Sequence, residues 1–312
     1  MTDIPVIDLS AEDAAGAIGA AARGPGFFLL VNHGVPESLR AEVFAQAGAF
    51  FDLPEADKAR LSILNTPFYR GWARPGVESL DETAPEVDTK ETFNIGYDMA
   101  PDDPRVLAGE PFRGPNQWPD LTGFRETMLR YFDAALALGV RVHRAFAADL
   151  GLAPDHFDGA FVDPLAALRL LHYPPATGTA GEIGAGAHTD YGAITLLMTD
   201  GEPGLQVRPR GGDWTDVPHA PGAYVVNIGD CLMRWTNDIY ASTPHRVLPP
   251  ARRRRSVAFF VEANPDQVIA ALPGTGEPRY PPVRAADYLQ SRLDATYAPK
   301  QPAPTGAPEA GA

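Results

Sequence analysis

Seven short β-type runs decide the fold class of this chain: LRLLHYP (168–174), AITLLMTD (193–200), GLQVRP (204–209), WTDVPH (214–219), AYVVNIGD (223–230), HRVLP (245–249) and RRSVAFFVEAN (254–264). Turn-forming residues separate these short runs. Closely spaced short strands of this kind are typical of a sandwich or barrel of the jelly-roll type. We therefore expect a mainly β protein, with helices packed around the β-structure.

Helices are predicted on both sides of this β-rich part. The segment from Ser10 to about Ala22 is Ala-rich and has Ser10 at a plausible N-cap, and the clearest helix runs from Gly123 to about Leu150. Further helices are expected at residues 36–51, after Pro54 and at 285–297, and a buried strand is expected at 26–34. Gly229-Asp230 is expected to form a tight turn between strands.

These patterns predict three parts of the chain. An N-terminal helix and loop region, residues 1–118, should pack on the β-structure; its part from about Leu64 onward should be mostly loop, with short strands such as ETFNIGY (91–97). Residues 119–297 should form the core, with the long helix, the β-structure and the C-terminal helix. Residues 298–312, rich in Pro, Ala and Gly, are expected to be a flexible tail.

Composition narrows the classes of partner. The 312 residues include 26 Lys plus Arg and 40 Asp plus Glu, a net charge of −14, which disfavours binding to nucleic acid or to anionic membranes. Cys231 is the only cysteine, so an intramolecular disulfide and any multi-cysteine metal site are excluded. No stretch approaches the roughly 20 apolar residues that cross a bilayer, and the start does not resemble a signal peptide. We expect a cytoplasmic protein with a small-molecule partner and no obligate protein partner.

A candidate metal site lies at the start of the run AITLLM. The side chains of His188 and Asp190, two residues apart, share one face of an extended chain. A second histidine from a neighbouring strand would complete a set of two imidazoles and one carboxylate, which holds Fe(II) and leaves coordination positions open. Of the seven histidines, His245 is the best candidate. The H-x-D spacing alone is common by chance, so this interpretation depends on the residues that follow His245.

Arg254 and Ser256 supply that support. They begin the last β-type run and share a strand face. A guanidinium is a planar fork that fits a carboxylate, and a nearby hydroxyl adds a further donor. The pair could therefore bind the distal carboxylate of 2-oxoglutarate. For the neighbouring Arg252, Arg253 and Arg255 we expect a solvated basic run at the end of a hairpin.

Taken in order along the chain, these residues resemble the isopenicillin N synthase-like family of Fe(II)- and 2-oxoglutarate-dependent oxygenases. The resemblance covers nearly the whole chain. It is carried by IPVIDLS (4–10), GFFLLVNHGVP (26–36), FFDLPEADK (50–58), DTKETFNIGYD (88–98), RLLHYPP (169–175), HTDYGAITLL (188–197), VNIGDCLMRWTND (226–238), STPHRV (242–247), RRS (254–256) and RYPPV (279–283).

The resemblance implies a distorted double-stranded β-helix, or jelly roll, flanked by helices. It also implies iron held by His188, Asp190 and His245, and 2-oxoglutarate held by Arg254 and Ser256. Tyr173 looks like the family tyrosine that hydrogen-bonds this cosubstrate. Many plant members have Asn two residues before that tyrosine, whereas this chain has Leu171. The implied reaction consumes dioxygen, oxidises a small organic molecule by hydroxylation, desaturation or a related step, and releases succinate and CO2.

Candidates for substrate contacts come from the loops YRGW and KETFNIG and from the last β-type run: Tyr69, Arg70, Trp72, Phe93, Asn94 and Phe260. One hypothesis is an acidic or aromatic substrate paired with Arg70, although an Arg in an exposed loop is usually solvated.

Other functions stay open at this point. The first is an oxidase resembling isopenicillin N synthase itself, which uses no 2-oxoglutarate; Arg254 and Ser256 would then bind a substrate carboxylate. The second is a barrel without enzymatic activity that binds a metal or small ligand. A zinc hydrolase is disfavoured, because no motif such as H-E-x-x-H supplies a general base.

Overall fold

A computed structural model describes residues 4–78, 80 and 88–297. The predicted flexible tail, 298–312, lies outside these residues. Within them the strands are β1 (Val6–Asp8), β2 (Phe27–Val31), β3 (Gly71–Ala73), β4 (Glu91–Gly96), β5 (Ala167–Tyr173), β6 (Ala185–His188), β7 (Ile194–Thr199), β8 (Leu205–Val207), β9 (Thr215–Asp216), β10 (Tyr224–Ile228), β11 (His245–Val247), β12 (Arg254–Val261), β13 (Val268–Ile269) and β14 (Val283–Arg284).

Two facing sheets form the jelly roll. The larger has eight strands in the order β1-β2-β10-β7-β12-β5-β4-β3, and only its β1–β2 pair is parallel. The smaller has four strands in the order β6-β11-β8-β9, and β13 and β14 form a separate hairpin. Because β1 to β4 come from residues before 118, the N-terminal part extends the same large sheet as the β-rich part.

The core has two layers. Between the two sheets lies a small cluster that includes Leu171, Leu205, Val207 and Val247. The outer face of the large sheet packs on helices through a larger cluster of buried aromatic and aliphatic residues. The cavity described below opens between the two sheets, so side chains that alternate along the strands line it from both sides.

In the described residues, the helices that were predicted lie close to their expected positions: α1 (Ala14–Arg23), α2 (Glu37–Phe51), α3 (Glu55–Ala59), α5 (Phe124–Asp149) and α7 (Ala285–Tyr297). Two helices were not predicted: α4 (Pro104–Leu107) and α6 (Asp230–Trp235). Short 3₁₀ turns occupy Ile63–Asn65 and Asp158–Phe161. In the described ranges, no helix has both the length and the apolar character that a membrane crossing needs.

Two local predictions were wrong. Ser10 does not cap α1: its backbone N–H and hydroxyl donate to Asp8 instead, and the helix begins four residues later. Gly229-Asp230 does not form a turn between strands, because Asp230 is the first residue of α6. The long connection from β10 to β11 leaves room for a helix that a local turn signal does not reveal.

Candidate metal centre and active site

The structure brings His188, Asp190 and His245 together. His188 ends β6 and His245 begins β11, and the two residues are directly paired across the antiparallel ladder. The Nε2 atoms of His188 and His245 lie 3.8 and 3.7 Å from Oδ1 of Asp190. The potential ligand atoms of all three residues lie within 4.8 Å of one another. In the described part of the chain, this is the one group of three or more His, Cys, Asp or Glu residues with such geometry.

Hydrogen bonds orient each of the three side chains. Nδ1 of His188 lies 2.7 Å from the carbonyl oxygen of Gly186, so Nδ1 carries the proton and Nε2 presents its lone pair to the site. Nδ1 of His245 lies 3.3 Å from a backbone carbonyl oxygen in the same way. Asp190 accepts hydrogen bonds at Oδ2 from Asn227 and Thr195, which leaves Oδ1 facing the histidines.

Ionisation also suits metal binding. Burial, together with the adjacent His245, lowers the pKa of His188 from 6.5 to about 4, so its imidazole is neutral at neutral pH. Burial alone would raise the pKa of Asp190, but the two histidines and the hydrogen bonds from Asn227 and Thr195 outweigh it and hold the pKa below its usual value. Two imidazoles and one carboxylate, gathered on one wall of a cavity, fit Fe(II) with coordination positions left open.

A further carboxylate holds the backbone around these residues. Asp230 accepts hydrogen bonds from Thr189, which lies between His188 and Asp190, at 3.3 Å, and from Ser242 at 2.6 Å. It also accepts one from the Tyr288 hydroxyl of α7 at 2.8 Å. One buried side chain thus joins the segments that carry the candidate ligands to the C-terminal helix.

Arg254, Ser256 and Tyr173 line the same cavity as the three candidate ligands. Arg254 and Ser256 are 1% and 2% exposed, and Nη1 of Arg254 lies 3.4 Å from the Ser256 hydroxyl. Arg254 also donates from Nε to the carbonyl oxygen of Glu202. Within the described ranges it has no ion pair with an acidic side chain, so its guanidinium keeps a charge available for a bound carboxylate.

Leu171, which replaces the polar residue of many plant relatives, also lines the cavity. Just before β4 lies Lys90, which no sequence pattern had marked. Its ammonium is buried in the cavity wall and pairs with Asp88 and Glu78. Burial alone would lower the pKa of Lys90, but the two carboxylates outweigh it and raise the pKa, so the amine is charged.

Four of the predicted substrate contacts line the end of the cavity away from Arg254: Tyr69, Arg70, Asn94 and Phe260. Phe93 does not. It is fully buried on the opposite face of β4, where its ring centroid lies 4.4 Å from that of Phe50. We therefore correct Phe93 from a substrate contact to a core residue.

Trp72 also lies outside the cavity lining, and its indole N–H donates to Glu91 at 2.7 Å. Glu262, a cavity residue just after β12, was not predicted from the sequence. Burial, with Asp190 and Asp230 nearby, raises its pKa to about 8. Strand alternation is the signal that could have found it, because every second residue from Arg254 to Glu262 faces the cavity.

Comparison with known proteins agrees with this geometry. A model described as the non-haem dioxygenase in morphine synthesis N-terminal region matches residues 4–121, and the 2OG-Fe(II) oxygenase superfamily model matches residues 164–263. A 2-oxoglutarate-Fe(II) type oxidoreductase, hxnY of Emericella nidulans, is 38% identical over 286 residues, which cover 87% of this chain and 81% of that protein.

Solved structures show the same likeness. A full-length Neurospora crassa protein in complex with alpha-KG superposes with a TM-score of 0.83 at 35% identity, over 93% of this chain and 95% of that one. The complex of the same fungal protein with alpha-KG and thymine gives a TM-score of 0.82 at 35% identity, over 94% and 96% of the two chains. These findings favour a 2-oxoglutarate enzyme over an oxidase without 2-oxoglutarate or a non-enzymatic barrel. The chain belongs to the isopenicillin N synthase-like family of Fe(II)- and 2-oxoglutarate-dependent oxygenases, and it is a dioxygenase that oxidises a small organic molecule with release of succinate and CO2.

Proposed function

We propose that His188, Asp190 and His245 hold the iron of this dioxygenase, and that Arg254 and Ser256 bind the distal carboxylate of 2-oxoglutarate. One observation carries the proposal: a buried guanidinium without an acidic partner in the described residues faces the same cavity as two histidines and one aspartate. Tyr173, whose ring lies against that guanidinium, is proposed as a further contact to the cosubstrate.

When bound, Fe(II) and 2-oxoglutarate supply the activation of dioxygen and the electrons that the oxidation needs. The chain supplies binding, orientation and exclusion of water. Asn227 and Thr195 fix the carboxylate of Asp190, so its free oxygen stays directed at the metal site. Apolar side chains close the walls around the reacting atoms and keep bulk water out: Phe27, Leu171, Leu197, Leu205 and Val247.

The substrate is proposed to bind at the end of the cavity lined by Tyr69, Arg70, Asn94 and Phe260. Aromatic rings and a few polar groups make up this end, a combination that suits a small organic molecule with specific orientation. The thymine complex of the Neurospora crassa protein supports a substrate of this size.

A substrate screen tests the proposal. The protein is supplied with Fe(II), 2-oxoglutarate and dioxygen, and succinate is measured for each compound. We expect at least one small molecule to raise succinate formation and to yield an oxidised product in equal amount. Absence of cosubstrate binding in a direct 2-oxoglutarate titration would contradict the assignment of Arg254 and Ser256.

We also propose that the enzyme acts in the cytoplasm without a nucleic acid, membrane or obligate protein partner. The net charge of −14 supports this, since it repels polyanions, and so does the buried single thiol of Cys231. Fractionation of the source cells, with detection of the protein in each fraction, tests the location. Recovery in a membrane or extracellular fraction would contradict it.

A further inference from the structure

The backbone around Arg70 has an unusual conformation. Tyr69, immediately before it, has φ of 56°, and Phe112, whose carbonyl oxygen accepts from the Arg70 guanidinium at 3.3 Å, has φ of 61°. Bulky residues rarely adopt these left-handed angles, and such outliers concentrate at functional sites. The rings of Tyr69 and Phe112 lie 5.9 Å apart, and both line the cavity. The Gln117 amide donates to the Arg70 carbonyl oxygen at 2.7 Å and holds the segment in place.

The Arg70 side chain fills a space that a glycine leaves open. Gly96 is the last residue of β4. A Cβ atom at this position would lie 1.8 to 2.2 Å from atoms of the Arg70 guanidinium, so the guanidinium lies directly against the Gly96 backbone. Arg70 is 5% exposed and lines the cavity. Its Nε has no hydrogen-bond partner, and no acidic side chain of the described ranges forms an ion pair with it.

Arg113 provides a contrast. It is also almost fully buried, at 1% exposure, but its guanidinium pairs with the Asp163 carboxylate at 3.0 Å and donates to the carbonyl oxygens of Asp163 and Pro164. Burial, with the nearby charge of Arg113, lowers the pKa of Arg70 to about 10, which still leaves it charged at neutral pH. Two buried guanidinium groups thus lie close together, and within the described residues only Arg113 has a counter-charge.

A buried charge without a partner is costly, and a ligand that supplies the opposite charge removes that cost. Arg70 is not placed to bind the distal carboxylate of 2-oxoglutarate. Arg254, which is proposed to bind it, lies at the opposite end of the cavity. In the register of the large sheet, Arg254 lies opposite Tyr173 of β5. Gly71, the residue after Arg70, lies opposite Asn94 of β4, and Asn94 lies opposite Arg169 of β5. Tyr173 and Arg169 are four residues apart, about 13 Å along the strand.

We propose that Arg70 binds the carboxylate of the substrate, and that the enzyme therefore acts on small monocarboxylic acids with an aromatic or otherwise apolar body. The body would lie against the side chains that surround this end of the cavity: Tyr69, Phe112, Leu165, Phe260, Leu289 and Leu293. The inference rests on the proposed function, because it requires 2-oxoglutarate to occupy the end of the cavity where Arg254 lies.

Matched acid and amide pairs test the charge requirement. The probes are benzoate and benzamide, phenylacetate and phenylacetamide, and 3-phenylpropanoate and 3-phenylpropanamide. Each is titrated by calorimetry, without dioxygen, into protein loaded with Fe(II) and saturating 2-oxoglutarate. We expect at least one acid to bind about tenfold or more tighter than its amide, a difference of about 1.4 kcal/mol. Arg70→Gln should remove that preference, and the exposed Arg253→Gln should retain it.

Gly96→Ala is a second variant that keeps the charge. Its new methyl group should displace the guanidinium and reduce the preference for the acid, which keeps the inference testable if Arg70→Gln does not fold. A wild-type protein that fails to bind 2-oxoglutarate would contradict the proposed function. If 2-oxoglutarate binds but no acid exceeds its amide, or if the preference persists in Arg70→Gln, the carboxylate inference alone is overturned. If Arg70→Gln is unfolded and Gly96→Ala keeps the full preference, it is overturned as well.

Discussion

Arg254 and Tyr173 are paired across β12 and β5, and the guanidinium carbon of Arg254 lies 4.8 Å from the centre of the Tyr173 ring. The aromatic face supports the planar fork and limits its rotation. Together with the hydrogen bond from Nε to the Glu202 carbonyl oxygen, this contact directs the remaining N–H groups toward the cavity. Lys cannot reproduce such an arrangement, because its ammonium is a point charge on a flexible stem.

Arg254→Lys should therefore weaken 2-oxoglutarate binding. The variant keeps the positive charge but loses the bidentate hydrogen bonding to the carboxylate. We expect the binding free energy of 2-oxoglutarate to weaken by about 1.5 to 3 kcal/mol, the range for hydrogen bonds to charged groups. Anaerobic titration of 2-oxoglutarate into the Fe(II) protein, followed by its visible charge-transfer band, measures the affinity. Iron binding should stay unchanged.

Arg253→Lys is the matched control. The Arg253 side chain is 50% exposed and pairs with Asp52 on the surface, so the substitution should leave the affinity for 2-oxoglutarate near wild type. Equal weakening by both substitutions would contradict the assignment of the carboxylate contact to Arg254.

Replacement of a proposed metal ligand should abolish turnover. His188→Ala, Asp190→Ala and His245→Ala each remove one of three donors that the structure gathers within 4.8 Å. We expect each variant to bind iron weakly and to retain less than about a tenth of wild-type activity, since no spare ligand of the described part replaces the lost donor. Iron content after gel filtration and the succinate assay provide two independent measurements. A variant with substantial activity and full iron content would show that its residue is not a ligand.

His143 should make stability depend on pH. Its ring is fully buried in α5, and burial lowers its pKa from 6.5 to about 4. Well above pH 6.5, the usual histidine pKa, the imidazole is neutral in both the folded and the unfolded state. As the pH falls toward 4, the unfolded chain takes up a proton that the folded protein resists, so folding stability is lost.

His143→Leu removes this contribution. By about pH 5 the wild type should have lost about 2 kcal/mol more unfolding free energy than the variant, relative to each protein at about pH 7.5. Urea unfolding at the two pH values measures the difference. Parallel pH profiles for the two proteins would contradict the prediction.

Gly139→Ala should destabilise the protein although it improves helix propensity. Gly139 lies where α5 approaches β12, and a Cβ there would be 2.6 Å from Cγ2 of the buried Val261. Overpacking costs about 1 to 3 kcal/mol, whereas the gain in helix propensity is at most about 1 kcal/mol. Thermal and urea unfolding should show the net loss. Gly159→Ala is the control, because a Cβ at Gly159 meets nothing within 4 Å and should change stability little.

Local periodicity determines the elements that were predictable from the sequence. α5 has apolar residues at helical spacing and forms within a residue of the prediction, and α7 occupies the predicted range. The approach of His188 to His245 was also predictable, because a short list of histidines and a β-rich context left few alternatives. Alternation of side chains along β12 was enough to predict that Arg254, and not its arginine neighbours, faces inward.

Which face of β4 looks inward could not be predicted from the sequence. On β4 both Phe93 and Asn94 were named as candidates, but Asn94 lines the cavity and Phe93 packs in the outer core. Lys90 and Glu262 were missed because charged residues are expected at the surface. The burial of Lys90 depends on its ion pairs with Asp88 and Glu78, which only the folded structure reveals. Alternation along β12 could have pointed to Glu262.

The carboxylate of Asp230 links one wall of the cavity to the segment that carries two candidate ligands. Leu289 and Leu293 of α7 line the substrate end, and Tyr288 of the same helix is hydrogen-bonded to Asp230, as is Thr189 between two of the candidate ligands. A displacement of α7 would therefore disturb the hydrogen bonding of the segment that carries His188 and Asp190. One side chain links this cavity wall to the candidate ligands, so a rigid wall and a well-ordered ligand set depend on the same carboxylate.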